Sequence, residues 1–313
     1  MLCAYLYSAL GSMKTVLLTG GHGFLGQYIR AALLANKHTV ITLGRQSFND
    51  LVADISADIE LPVSAMNWVV HAAGKAHLVP HNAEQAADFF NTNLKGTQHL
   101  CQWLQKGPVM PEAFVFISTV SVYGVEEGKL ISETHPLAGT SPYAQSKIQA
   151  EAWLQQWCST HGVALTILRL PLIAGINAPG NLGAMINAIK GGKYFNIGEG
   201  NAQKSIVLAE DVAQWIPVFT QHPGIYNLTD GQHPSFAQLA ALIASQLGKG
   251  MPRSIPHWLA LPAAFAGNYM GARAPLNCDR LRKITATLTF DDTKARQVFG
   301  WKPKPVLEHF KIN

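Results

Sequence analysis

Cysteine is sparse: the 313 residues hold four, Cys3, Cys101, Cys158 and Cys278, far apart and with no CxxC pair. That spacing excludes a disulfide framework and fits reduced thiols in the cytoplasm. No second ligand stands at metal spacing from His22 or His71, so no metal site is expected. Charge is scarce too, at 14% of residues with a formal net charge of +5. The basic residues form no run and do not interleave with aromatics, which argues against nucleic acid; the small excess suits an anionic small ligand. No apolar run is long enough for membrane insertion. Residues 255–267 (IPHWLALPAAFAG) are apolar but short and broken by proline, and read as part of a substrate lid or core helix. Residues 1–12 (MLCAYLYSALGS) lack a basic flank and run almost straight into the first strand, so a signal peptide is not expected. Met13, before KTVLLTGG, reads as a natural start. Repeats and low-complexity tracts are absent.

What is present is concentrated in one stretch, TVLLTGGHGFLG, residues 15–26. An apolar run (15–18) exits through Gly20, Gly21, Gly23 and Gly26 into a helical pattern over 27–35 carrying Ile29, Leu33 and Leu34. Strand, glycine turn and helix form the context in which G-x-G-x-x-G signals dinucleotide binding. The first glycines permit a tight turn, Gly23 lets a pyrophosphate approach the backbone, and Gly26 lets helix and strand pack closely. The helix N-terminus then offers free N–H groups to phosphate. Further strands read at 38–43, 50–55, 68–73, 113–118 and 164–168, and helices at 83–105 and 143–159. This alternation predicts an α/β fold with a doubly wound parallel sheet. Residues 13–170 form the expected dinucleotide-binding domain. Beyond Pro171 the pattern loosens into a smaller, mostly helical substrate region, 171–313, with a helix at 235–247 and β-like pieces at 204–207 and 225–228 that help complete the sheet.

Ligand crevices of such sheets lie beyond the carboxyl ends of the strands, which directs attention to 71–75, 118–123 and 171–181. A second constellation is SPYAQSK, 141–147. Ser141 can cap and Pro142 suits a first helical position, so Tyr143 and Lys147 fall one turn apart on one face. A lysine ammonium beside a phenol favours the phenolate and can also hydrogen-bond a ribose hydroxyl.

Together these motifs resemble the extended short-chain dehydrogenase/reductase family, in its nucleotide-sugar epimerase/dehydratase branch, whose members serve polysaccharide biosynthesis. The likeness rests on TGGHGFLG (19–26), HAAG (71–74), NTNLKGT (91–97), STVSVYG (118–124), YAQSK (143–147), LRLPLIAG (168–175) and FGWKP (299–303). It implies Tyr143 as acid/base, Lys147 as its electrostatic partner and Thr119 as the hydroxyl bonded to the reacting oxygen, with Ser118 as the neighbouring fallback. It implies cofactor contacts from Gly20, Gly23, Phe24, Leu25, Gly26, Arg45, Asp54, Ile55, Ala72, Ala73, Gly74, Lys75, Asn93, Tyr143, Lys147 and Pro171, with Asn93 supporting a proton relay. Substrate contacts fall to Ser121, Asn181 and Lys204, the last replacing an arginine that holds a sugar-nucleotide diphosphate. Helices 83–105 and 143–159 would pair across a two-fold axis, giving a homodimer.

Two departures from the family pattern carry information. NAD-preferring members place an acid at the end of strand two; here Leu43, Gly44 and Arg45 stand there, and no Asp or Glu precedes Asp50. That suits a 2′-phosphate and predicts preference for NADP(H) over NAD. The dehydratases carry Asp-Glu after the strand-five Thr, whereas this chain has Val120 and Ser121. The expectation is hydride chemistry at C4 of a nucleotide-linked sugar, leaning to a 4-keto reductase. The alternatives are a 4-epimerase of UDP-hexose or UDP-N-acetylhexosamine, a reductase of non-nucleotide carbonyls, and a non-catalytic dinucleotide-binding scaffold.

Overall fold

The computed structural model describes residues 12–76, 79–270 and 276–312. The opening apolar segment and Cys3, in residues 1–11, lie outside the described residues. Seven strands form the central sheet: β1 (Thr15–Thr19), β2 (Thr39–Gly44), β3 (Leu51–Val52), β4 (Trp68–His71), β5 (Ala113–Thr119), β6 (Ala164–Leu170) and β7 (Gly224–Asn227). Every pairing is parallel, in the order β7-β6-β5-β4-β1-β2-β3. The direction of winding reverses between β1 and β4, the switch point at which such sheets bind ligands.

The strands read as unbroken apolar runs because both faces are covered. In β1, Val16 and Leu18 join a core on one face, against Ile29 and Leu33 of α1 (Phe24–Ala35). Leu17 points the other way, into a core with Leu100 and Leu154. Those two residues come from α3 (Gly96–Leu104) and α4 (Pro142–His161); α2 (Ala83–Phe90) precedes α3.

The structure differs from the sequence expectations in four places. The first helix begins at Phe24, not at residue 27, because Gly23 caps it directly. Strand three shrinks from 50–55 to two residues. Asp50 turns back to accept hydrogen bonds from the Thr42 N–H (2.8 Å) and hydroxyl (2.7 Å), and Asp54 turns the chain again by accepting from Ser56 N (2.9 Å). The helix expected over 83–105 contains a π-helical turn, Asn91–Lys95, between α2 and α3. Gly96 sits close under Ile55, where a Cβ would fall 2.9 Å from Ile55 Cγ1. Finally, strand four stops at His71, and Ala72–Ala73 belong to an open loop.

β7 comes from beyond residue 170, so the sheet draws on both parts of the chain. The rest of the C-terminal region packs a separate core, in which Leu182 and Met185 of α5 (Gly180–Lys190) meet Leu239 and Ile243 of α6 (Phe236–Gln246). Ile206–Leu208 pairs there with Leu172–Ala174. Two further helices, α7 (His257–Met270) and α8 (Cys278–Thr285), pack on each other through Ala260, Ala264 and Leu281. Among the described residues no helix is long and apolar enough to cross a membrane.

Candidate active site

The glycine turn after β1 is tight because backbone meets backbone. Gly20 has φ +68°, and a Cβ there would lie 2.7 Å from Ala73 N. A Cβ on Gly26 would lie 1.9 Å from Gly20 O, so α1 presses on the turn without any side chain between them. Gly23 caps α1 with no side-chain hydrogen bond, and the first turn carries no acid, which leaves its N–H groups for an anion. His71 anchors the floor. It bonds Thr19 Oγ1 (2.6 Å) and Thr97 Oγ1 (3.0 Å), and burial pulls its pKa down to about 3, so the ring is neutral and structural.

From this turn a cleft of about 730 Å³ opens past the ends of β2 and β4. Gly20, Gly23, Arg45, Asp54, Ile55, Ala73, Gly74 and Lys75 line it, as the sequence anticipates. The cleft and the glycine cradle fit a dinucleotide in size and in backbone access. Other expected contacts sit elsewhere. Leu25 and Gly26 are packed beneath the turn, and Phe24 packs against Tyr28 (5.8 Å between centroids) beside Gly175. Ala72, Pro171, Asn181 and Lys204 do not line the cleft. Asn181 is exposed in the first turn of α5, and Lys204 lies 5.9 Å from the Phe236 ring. Burial lowers Lys204 to about 8, against the pull of Glu126.

Arg45 projects with 74% of its side chain exposed and meets Asp54 at 4.0 Å, an open pair that holds it weakly. Lys75 bonds Asp88 (2.6 Å) on the cleft wall. Asn93, buried in the π turn, accepts from Lys75 N (2.8 Å) and donates to Lys75 O (3.1 Å) and Ser146 Oγ (3.0 Å). It therefore ties the loop after β4 to α4.

The side chains expected to carry the chemistry stand where that loop meets α4. Ser141 caps the helix by accepting from Ala144 N (3.1 Å), and Pro142 opens it. Lys147 is buried; its Nζ donates to Ile117 O (2.8 Å) and rests 4.4 Å from the Phe116 centroid. A Cβ on Gly74 would lie 3.4 Å from that Nζ, which joins the lysine to the inner end of the cleft. Burial lowers Lys147 to about 8, while Glu151 raises it. Burial pushes the Tyr143 phenol up, and the Thr119 side chain bonded to it pulls it back. Thr119 is itself fixed as the cap of a short turn, accepting from Ser121 N (3.2 Å) and donating to Ser121 Oγ (3.2 Å).

Behind these groups lies a polar cluster that the sequence reading did not identify. Glu151, one turn beyond Lys147, takes Arg169 Nη2 at 2.6 Å and also accepts from Ser118 Oγ. Arg169 Nη1 donates to Tyr123 OH (3.2 Å), which donates to Asn227 Oδ1 (2.7 Å). A signal existed: an arginine inside the apolar strand ALTILRL needs a buried acid, and Glu151 continues the Tyr143–Lys147 face.

Known proteins are similar to this chain over nearly its whole length. The chain is 27% identical to UDP-glucose 4-epimerase of Vibrio cholerae, over 94% of this chain and 92% of that protein. The structure of UDP-glucose 4-epimerase from Thermotoga maritima with UDP-glucose matches with a TM-score of 0.72 at 22% identity, covering 95% of this chain and 96% of that one. RMD from Pseudomonas aeruginosa with NADPH matches at 0.68 and 21% identity, covering 95% and 96%. At these identities the two structures share the doubly wound fold. The sequence profile of the NAD dependent epimerase/dehydratase family matches residues 16–229. The chain is thus an enzyme of the short-chain dehydrogenase/reductase type and belongs to the NAD dependent epimerase/dehydratase family.

Proposed function

We propose that this enzyme reduces the 4-keto group of a nucleotide-linked sugar, with NADP(H) preferred and NAD accepted. One observation carries the reading. Gly44 and Arg45 line the cleft where β2 ends, and the next carboxylate, Asp50, is engaged by Thr42. A carboxylate at that point would accept a ribose 2′-OH and repel a 2′-phosphate; a guanidinium beside a glycine does the reverse. Gly20, Gly23, Ala73, Gly74 and the first turn of α1 would hold the dinucleotide, which supplies hydride when bound.

The chain's own residues handle the proton. Burial keeps Tyr143 protonated, the state a reduction requires, because the carbonyl oxygen must gain a proton as its carbon gains hydride. Thr119 orients that oxygen. The Lys147 ammonium then stabilises the phenolate left behind. Ser121, Asn181 and Lys204 are the proposed sugar and diphosphate contacts. Elimination of a 6-hydroxyl needs an acid near the leaving group, and Val120 and Ser121 supply none, so 4,6-dehydratase activity is not expected. A second reading, 4-epimerase, is favoured by the names of the relatives, and Thr119, Tyr143 and Lys147 would serve it equally. The protein is proposed to act in the cytoplasm as a homodimer paired through α2, α3 and α4.

Fluorescence titration of NADPH and NADH against wild type and Arg45→Ala tests the cofactor half. NADPH should bind more tightly, and the substitution should weaken NADPH alone by about 10–100-fold, the worth of a charge-assisted hydrogen bond. Equal binding of both cofactors refutes it. For the reaction, a UDP-linked 4-keto-6-deoxy sugar should consume NADPH stoichiometrically. Interconversion of UDP-N-acetylhexosamines without added cofactor would make the enzyme an epimerase instead.

A further inference from the structure

α7 is built inside out. Among its described side chains the buried positions are small ones, Ala260, Ala264 and Gly267. Four of its large apolar side chains face outward: Trp258 is 71% exposed and Phe265 56%, with Leu259 and Leu261 also exposed. Met251 and Phe195 are also exposed, and the segments carrying them are joined by the bond from the Asn196 backbone N–H to Arg253 O (2.9 Å). A soluble surface normally places large apolar groups of a helix inward, so a contiguous outward set implies a covering partner.

The surrounding charge selects that partner. No Asp or Glu lies between Asp230 and Asp279, nor between Glu151 and Glu199. The two acid-free segments meet where Ser254–Ile255 pairs with Asn196–Ile197. They carry exposed Lys190, Lys193, Lys249 and Arg253. The acids that flank them are engaged: Asp279 pairs with Lys283 (2.8 Å), and Glu199 accepts from Asn201 (2.6 Å). A second copy of the chain would bring cations against cations. A peptide partner needs a groove, whereas this patch is the outer face of a single helix. At 14 residues α7 is too short to span a bilayer. An apolar helix face with an outward tryptophan and a rim of cations fits the interface of an anionic membrane.

We propose that this face docks the enzyme peripherally on an anionic phospholipid bilayer, with α7 lying in the headgroup region. Flotation of the full chain with phosphatidylcholine vesicles, with and without about 30 mol % phosphatidylglycerol, is the test. The protein should float with the anionic vesicles and dissociate as salt rises from about 0.05 to 0.5 M. Trp258→Ser/Phe265→Ser should bind at least about tenfold more weakly with unchanged circular dichroism and Tm. Brominated lipid should quench wild-type fluorescence more than that of Trp258→Phe, a variant that keeps the apolar face. Failure of the wild type to float, retention by the double variant, or equal quenching overturns the proposal. So does loss of a self-associated species in the double variant without vesicle binding by the wild type, which would make the face a contact between copies.

Discussion

Replacing Glu151 with glutamine removes one charge from the most deeply buried ion pair that the active site leans on. Glu151 and Arg169 expose 1% and 3% of their side chains, and Arg169 reaches both carboxylate oxygens (Nε to Oε1 3.3 Å, Nε to Oε2 3.2 Å, Nη2 to Oε2 2.6 Å). The amide keeps a hydrogen-bonding oxygen but leaves the guanidinium uncompensated, and breaking such a pair costs about 3–5 kcal/mol. An exposed pair such as Lys283–Asp279 would cost about 0–1 kcal/mol. For a protein of this size the loss corresponds to a fall in Tm of roughly 5–8 °C, read by calorimetry of the cofactor-free enzyme. The same substitution moves the pH profile. Glu151 raises Lys147, which burial holds at about 8. The ammonium is present below that pKa and lost as pH rises through it. The alkaline limb of kcat/KM should therefore move to lower pH in Glu151→Gln. Apolar replacement of both partners, Glu151→Leu/Arg169→Met, should recover much of the stability but not the limb. A stability loss under about 1 kcal/mol would refute the burial argument; an unmoved limb would refute the link to Lys147.

Two further outcomes follow from the geometry. Gly26→Ala would put a methyl group 1.9 Å from Gly20 O, so α1 must withdraw from the turn; dinucleotide binding by calorimetry should fall below detection, and near-wild-type affinity would contradict the packing. Tyr143→Phe should lower turnover by about 10²–10⁴-fold with cofactor affinity kept if, as proposed, the phenol donates the proton; steady-state kinetics with titrated NADPH separates the two effects.

The parts of the fold written in local pattern were legible before the structure. Strands covered on both faces read as apolar runs, and the glycine turn could be recognised because Gly20 and Gly26 touch backbone, where no other residue fits. That Tyr143 and Lys147 lie one turn apart on a single helix was readable from local pattern alone. Contacts between distant segments were not. The curtailed third strand depends on Asp50 reaching back to Thr42, the π turn on Asn93 and Gly96 meeting the loop after β4 and Ile55, and the buried charge on Arg169 crossing from β6 to α4. In α7 the apolar content was visible, but the face that turns inward is the one packed on α8 through Ala260 and Ala264, a contact between distant segments.

The same division explains where the reaction is chosen. In the proposed reading Thr119, Tyr143 and Lys147 would move a proton on and off one oxygen, chemistry common to reduction and epimerisation. The difference lies at the other end of the cleft. An epimerase must retain its dinucleotide through a full cycle, because the hydride it removes is the one it returns. A reductase must exchange the oxidised form for a new reduced one at every turnover. Exchange would be favoured by a cofactor held through an open, solvent-exposed cation such as Arg45, a contact that salt and water can compete for. Retention is favoured by a buried carboxylate on the ribose, which the exit of β2 lacks. On the proposed reading, the proton machinery would fix which bond is handled, and Arg45, the residue after Gly44, would govern whether the cofactor leaves before the hydride can be returned.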